Sequence, residues 1–324
     1  MTHVIRFHEY GGPEVLQLED AILGEPGPGE ARLRQEACGI NFVDTYQRTG
    51  LYKVSLPSGA GSEGAGVVEA VGDGVTHLKP GDRVAYAGGP LGAYAQARNV
   101  PADRLCLLPD GISFEQGAAM MLKGMTVQYL LRRTYQVQPG DTVLFHAASG
   151  GVGLIACQWL KALGAVVIGT AGSEEKCELA RQHGADHCIN YRTENFAERV
   201  KAITQGAGVP VVYDSVGKDT FLGSIQCLRP FGLMVSFGNA SGPVPPFEPG
   251  LLAQNGSLYF TRPTLHTHTA KRADLEEISQ ELFDIVLSGK VKIDVAQCYA
   301  LADAAQAHRD LEARKTTGSS VLIP

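Results

Sequence analysis

Ala147-Ala148-Ser149-Gly150-Gly151-Val152-Gly153 lies between the strand-like run Val143-Leu144-Phe145 and an apolar series at helical spacing, Leu154, Ile155, Ala156, Trp159 and Leu160. A small-residue turn between a buried strand and a helix leaves backbone N–H groups bare at the helix N-terminus. Those groups have no partners within the helix, and the helix dipole favours an anion there. The stretch therefore points to a diphosphate, and so to a dinucleotide. The G-x-G-x-x-G pattern is incomplete: Ala148 takes the first glycine position, while Gly150 and Gly153 fill the others. Gly150 lets the backbone approach a diphosphate, and Gly153 lets helix and strand pack closely. Ser149, Gly150, Gly151 and Val152 are the expected cofactor contacts.

Outward from this turn, strand and helix alternate. Thr142–Phe145, Val166–Gly169, Val209–Asp214 and Leu233–Phe237 read as strands, and Val152–Leu163 and Ser173–His183 as helices. That alternation argues a doubly wound parallel sheet of the Rossmann type. Upstream, residues 1 to about 120 read as short strands broken by glycine and proline, hence a β-rich domain. Ser113–Gln116 and Asp274–Glu277 resemble capping boxes that open helices. Gly289 can close the second of these, and Asp303 can cap a last helix before Ser320–Ile323. The fold class is α/β with two domains, as expected for 324 residues.

Cofactor type is read at the end of the next strand. NAD enzymes usually place an acid there to bind the ribose 2′-OH. Val166-Val167-Ile168 is followed instead by Gly169-Thr170-Ala171-Gly172-Ser173, with Lys176 one helical turn on. Ser173 and Lys176 suit a 2′-phosphate, so NADPH is favoured over NADH. Alternatives stand beside this: Ser173 as a plain N-cap, Lys176 as a solvated charge, and Glu174 and Glu175 as acids satisfying the helix dipole.

The bulk properties exclude several classes. A net charge of −6 offers no basic footprint for nucleic acid or anionic membrane. No apolar run approaches the ~20 residues that span a bilayer. The N-terminus has no signal-peptide core. The seven cysteines are scattered without a C-x-x-C pair, which reads as reduced thiols in a cytoplasmic protein. Cys38 reads as core.

The ordered motifs carry a family resemblance. Gly140-Asp141 and Ala148–Gly153 with Gln158 and Lys161 resemble the fingerprint of zinc-free quinone oxidoreductases related to zeta-crystallin, a branch of the medium-chain dehydrogenase/reductase superfamily. Gly61–Val68 with Gly81–Val84, Val212–Gly217, Ser236–Asn239 and Gly318–Pro324 fit the same family. The resemblance implies a GroES-like catalytic domain at 1–123 and 262–324, and a Rossmann NADPH-binding domain at 124–261. It implies a small-molecule quinone substrate in a cleft between the domains. A homodimer is also expected, with Ser257–Phe260 joining as an apolar, β-prone edge. Zinc-binding relatives place Cys where Asn41 stands and His where Ser62 stands, so no metal is expected. An electron-poor quinone needs no Lewis acid, because positioning and hydrogen bonding can suffice.

Carried over by resemblance, Asn41, Asp44, Tyr46 and Tyr52 line the nicotinamide and quinone region. Asn41 and Tyr46 could bond a carboxamide or quinone oxygen, and Tyr52 could stack on or close over the substrate. Thr126, Gly172, Tyr191, Ser215, Val216, Phe237, Gly238 and Asn239 match cofactor-side positions. Arg314 and Lys315 match a basic return to the cofactor, although a solvated helix end fits them nearly as well. The alternative functions are reduction of α,β-unsaturated carbonyls on the same scaffold and a non-catalytic NADPH-binding protein of the crystallin or RNA-binding type.

Overall fold

A computed structural model describes all 324 residues, which divide into two compact units. The first comprises Met1–Met125, Thr269–Leu287 and Ile293–Pro324; the second comprises Thr126–His268 and Ser288–Lys292.

The second unit is built on six parallel strands. Across the sheet they run His187–Asn190, Val166–Ala171, Thr142–Phe145, Val209–Asp214, Leu228–Ser236 and Tyr259–Thr261. Numbered along the chain within this unit, that order is 3-2-1-4-5-6, the Rossmann arrangement. Every residue of Val209–Asp214 is buried, as a strand covered by helices on both faces requires. The strand order reverses between Thr142–Phe145 and Val209–Asp214, which places the ligand crevice beyond their C-terminal ends. The fifth strand begins at Leu228, not Leu233. Arg229, Pro230 and an exposed Phe231 with φ +62° interrupt the apolar run that marks its start in the sequence.

Two further segments complete this unit. Gln158 on the helix Gly151–Ala162 bonds both the N–H (2.9 Å) and the C=O (3.1 Å) of Lys292, which docks 288–292. The segment 262–268, assigned to the catalytic domain in the sequence reading, is held here instead. Arg262 donates to Ser236 O (3.0 Å), and His268 stacks on Tyr129 with ring centroids 4.4 Å apart.

The first unit holds a larger sheet in which Val295–Ala300, Ser319–Ile323, Glu30–Ile40, Glu63–Val71, Arg83–Ala87 and Cys106–Leu107 follow one another, with Ala97–Pro101 also on Glu30–Ile40. The C-terminal strand pairs antiparallel with Cys38–Ile40, so the chain end completes the sheet begun near its start. A smaller sheet joins Thr2–Phe7 to Gln17–Ala21 and Ser58–Gly59. The Ser113–Gln116 capping box forms, with reciprocal bonds of 3.0 and 3.1 Å. The second expected box does not open its helix. That helix runs Arg272–Leu287, and Arg272 anchors its start by donating to the carbonyls of Asp103 and Leu105. Asp303 precedes the last helix without a side-chain capping bond. No helix is long and apolar enough to cross a membrane.

Candidate functional site

In the second unit the sheet's C-terminal ends carry the expected loops. After Phe145 the chain turns sharply: Ala147 adopts φ +54°, a left-handed conformation rare for a residue with a Cβ. The turn is held on both sides, with His146 N–H on Tyr213 O (3.0 Å) and Ala148 N–H on Thr170 O (2.9 Å). Gly150 is the N-cap, and its own N–H closes the turn on Ala147 O (3.0 Å). The bare donors are therefore those of the following helical turn, Gly151 to Gly153, which have no intrahelical partners. A Cβ on Gly153 would lie 2.3 Å from Ala147 O, so only glycine lets the helix sit this close. The cradle fits a diphosphate.

At the next strand end, Ser173 caps the helix Glu174–Gln182 by accepting the Lys176 N–H (3.3 Å). The Glu174 carboxylate beside it is paired with Arg181, which also pairs with Glu178. A Cβ on Gly172 would come 2.7 Å from Tyr191 Oη and 3.6 Å from Arg192 Nε. Tyr191 and Arg192 thus reach over Gly172, next to Ser173. Arg192 escaped the sequence reading, although its place immediately after Tyr191 at a strand end was a usable signal.

The last two loops interlock. Phe237 N–H donates to Asp214 O (2.8 Å), Ala240 N–H to Ser215 O (3.1 Å) and Ser241 N–H to Val216 O (2.8 Å). A Cβ on Gly238 would meet Ser215 O at 2.5 Å. Phe237 packs against Phe145, their centroids 5.7 Å apart. Thr126 is buried and bonded to Tyr129, the ring that stacks on His268. Tyr129, His268 and Arg262 were not predicted. Their association links residues more than a hundred positions apart, which no local pattern reports.

The first unit brings Asn41, Asp44, Tyr46 and Tyr52 together. Asn41 follows the strand Glu30–Ile40 and caps the helix Phe42–Arg48, its N–H donating to Asp44 Oδ2 (2.8 Å). Its side-chain Nδ2 donates to Glu63 Oε2 (2.7 Å). Glu63 is fully buried and also accepts the Leu122 N–H (2.7 Å) and the Lys123 ammonium (3.4 Å). Burial pushes its carboxyl upward, against the opposing pull of Lys123. Asp44 accepts from Tyr94 Oη (2.8 Å) and Ser62 Oγ (3.2 Å), and burial raises its carboxyl to about 6. Gly39 makes room for all this: a Cβ there would strike Ala118 O at 2.1 Å and Glu63 Oε2 at 2.3 Å.

Phe42, Tyr46 and Tyr52 form an aromatic group beside this network. Tyr46 and Tyr52 meet edge to face at 5.3 Å, and Tyr52 N–H donates to Tyr46 O (2.9 Å). Arg314 and Lys315 lie in the exposed turn after the helix Ala304–Glu312, where Lys315 N–H donates to Asp310 O (3.0 Å). They are in the first unit, whereas the dinucleotide loops are in the second. No group of three or more His, Cys, Asp or Glu side chains is placed to hold a metal ion.

Residues 27–110 match the alcohol dehydrogenase GroES-like domain family, and residues 151–283 match the zinc-binding dehydrogenase family. The chain is 58% identical over 325 residues to a quinone oxidoreductase of Pseudomonas aeruginosa, covering all of both chains. It belongs to the quinone oxidoreductases of the medium-chain dehydrogenase/reductase superfamily. The crystal structure of Escherichia coli quinone oxidoreductase complexed with NADPH superimposes with a TM-score of 0.98 at 55% identity, covering all of both chains. A 2-haloacrylate reductase from Burkholderia is 47% identical, over 98% of this chain and 97% of its own. In the first unit the Asn41 amide faces Glu63 and the Ser62 hydroxyl faces Asp44. Both donate to buried carboxylates.

Proposed function

We propose that this protein reduces quinones with NADPH and without a metal. The observation that carries the cofactor choice is the seat around Gly172. The strand Val166–Ala171 ends with no acid to claim a ribose 2′-OH, Tyr191 and Arg192 reach over Gly172 beside Ser173, and Lys176 follows one helical turn on, a set that suits a 2′-phosphate. Ser149, Gly150, Gly151 and Val152 take the diphosphate. Ser215, Val216, Phe237, Gly238, Asn239 and Thr126 hold the nicotinamide half. NADPH, when bound, supplies the hydride.

The remaining work falls to the chain's own side chains. Asn41, fixed by Glu63, orients the carboxamide or a quinone oxygen. The edge-to-face Tyr46 and Tyr52 rings offer apolar aromatic surface, and their hydroxyls can donate to the oxygen that gains charge. Zinc independence is supported by the commitment of Asn41 and Ser62 to carboxylates, with no converging ligand set. Arg314 and Lys315 are proposed, on the family resemblance, as basic contacts to the cofactor.

The edge strand Tyr259–Thr261, with Tyr259 and the nearby Phe231 62% and 70% exposed, supports dimerisation by strand addition. Light scattering at micromolar concentration is expected to give a dimer mass. Seven unpaired cysteines support a reducing, cytoplasmic setting. Identity to the 2-haloacrylate reductase favours a second reading, in which the acceptor is an activated alkene. NADPH oxidation followed against 1,4-benzoquinone, 1,4-naphthoquinone and 2-chloroacrylate separates the two. Faster turnover of the quinones is expected, and faster turnover of the haloacrylate would overturn that choice.

A further inference from the structure

Beneath the three cofactor loops of the second unit runs one buried chain of side-chain hydrogen bonds. His146, the residue before Ala147, is fully buried with its ring edge against Phe196 at 5.0 Å. Its Nδ1 lies 2.9 Å from Thr170 Oγ1, and its Nε2 lies 2.9 Å from Ser224 Oγ. Ser224 donates to Asp214 Oδ2 (3.0 Å), which also receives Thr220 Oγ1 (2.7 Å). The other oxygen, Oδ1, accepts the N–H groups of Val216 (2.8 Å) and Gly217 (3.0 Å).

The direction of this chain follows from donor counting. The Asp214 carboxylate offers only acceptors, so the single Ser224 proton goes to it. Ser224 Oγ must then accept, and its donor is His146 Nε2–H. Burial lowers the basicity of His146, so the imidazole is neutral and its Nδ1 carries a lone pair. That lone pair accepts the Thr170 hydroxyl proton. The order is Thr170 to His146 to Ser224 to Asp214, and reversing any member would set two donors or two acceptors face to face.

The chain's anchors stand at or within one residue of the C-terminal ends of three strands. Thr170 stands two residues before Gly172, His146 one before Ala147, and Asp214 one before Ser215. We propose that His146, as its Nε2–H tautomer, is a positioning residue that sets the 2′-phosphate, diphosphate and nicotinamide loops in register before NADPH arrives. The proposal rests on the reading of those loops as the NADPH seat. It accounts for the left-handed Ala147, whose unfavourable backbone is tolerated because the preceding residue is locked on both ring nitrogens.

The test combines a spectroscopic readout with binding. Long-range 1H–15N spectra of the unliganded protein, with His146 assigned through His146→Gln, should show the Nε2–H tautomer. An Nδ1–H or doubly protonated ring at pH 7 would overturn the proposal. NADPH affinity, read by fluorescence titration, should fall about tenfold in Thr170→Val, with kcat within about twofold at saturating NADPH. Thr170→Ser, which keeps the hydroxyl, should restore the unaltered Kd. Because the bonds form one chain, Thr170→Val/Ser224→Ala should bind NADPH about as weakly as the weaker single variant. Independent, additive losses, or a Thr170→Val protein with normal Kd, would overturn the proposal while leaving the cofactor seat intact. Failure of the unaltered protein to bind NADPH would overturn the seat itself, and the proposal with it.

Discussion

Replacing Glu63 by glutamine removes one charge from the fully buried cluster of the first unit. Glu63 Oε1 accepts the Leu122 N–H and Oε2 accepts Asn41 Nδ2 and Lys123 Nζ. A glutamine can keep the Leu122 bond through its carbonyl. Its amide nitrogen then faces two donors, the Asn41 amide and the Lys123 ammonium. Asn41 can answer by flipping, so that its own oxygen accepts, but Lys123 is left charged and buried without its partner. Breaking a buried pair in this way costs about 3–5 kcal/mol. Asp44 also acts electrostatically on Lys123 and takes over part of the counter-charge, which favours the lower end, about 3 kcal/mol. At about 2–4 °C per kcal/mol for a domain of this size, Tm should fall by roughly 6–12 °C. Removing the stranded charge as well, in Glu63→Gln/Lys123→Met, should recover most of that loss, since a buried pair replaced by neutral groups of similar volume is often close to neutral. The flip of Asn41 would persist, so the double variant should regain stability without regaining kcat. Thermal and urea unfolding, beside quinone turnover, measure both effects. A single variant that loses less than about 1 kcal/mol, or a double variant no more stable than the single, would refute the assignment of Glu63 as the charge that holds this cluster.

Lys176→Ala removes a charge-assisted bond worth about 1.5–3 kcal/mol, so KM for NADPH should rise roughly 10- to 150-fold with NADH almost unaffected. Arg192→Ala should act in the same direction and more weakly, because its side chain is exposed; equal effects on both cofactors would remove either residue from the 2′-phosphate seat. Asp44 titrates at about 6 in the fold against 3.8 as an isolated group, so the folded state binds its proton more tightly. Its contribution to stability is full only below the unfolded value of 3.8 and lost as pH rises through 6, which makes the unaltered protein lose about 2 kcal/mol relative to Asp44→Asn between pH 4 and 7 by urea unfolding. Gly153→Ala forces a Cβ to within 2.3 Å of Ala147 O, whereas Gly150→Ala leaves 3.3 Å. The first should lower Tm by several degrees and weaken NADPH, and the second should weaken NADPH with Tm little changed, by calorimetry and fluorescence titration.

The Rossmann sheet was legible because its strands are short apolar runs between turn residues, and Ala147–Gly153 names the crevice by its small side chains. Asn41, Asp44, Tyr46 and Tyr52 were found as one motif because they lie on one short helix and the loop after it. Their partners were not found together, because Glu63 and Lys123 reach Asn41 from 22 and 82 residues away and meet it only in the folded chain. Arg262 and His268 fell to the other unit because the bound at 262 came from the family resemblance and not from any local pattern. Their packing on Ser236 and Tyr129 decides otherwise. Leu228 was missed as a strand start because Arg229 and Pro230 break the apolar signal while the backbone still pairs, and the helix at Arg272 begins on backbone carbonyls that no capping pattern encodes.

The proposed reaction is hydride transfer from NADPH to a quinone in a site that needs no metal. Single-turnover mixing of chelator-treated protein, loaded with NADPH, against 1,4-benzoquinone tests it by loss of absorbance at about 340 nm, with one equivalent of hydroquinone formed for each NADPH consumed. Full amplitude and an unchanged rate after chelation are expected, with NADH giving a far slower trace at the same concentration. A rate that collapses on chelation and returns with added zinc would overturn the metal-free reaction, and equal rates with NADH would overturn the preference for NADPH.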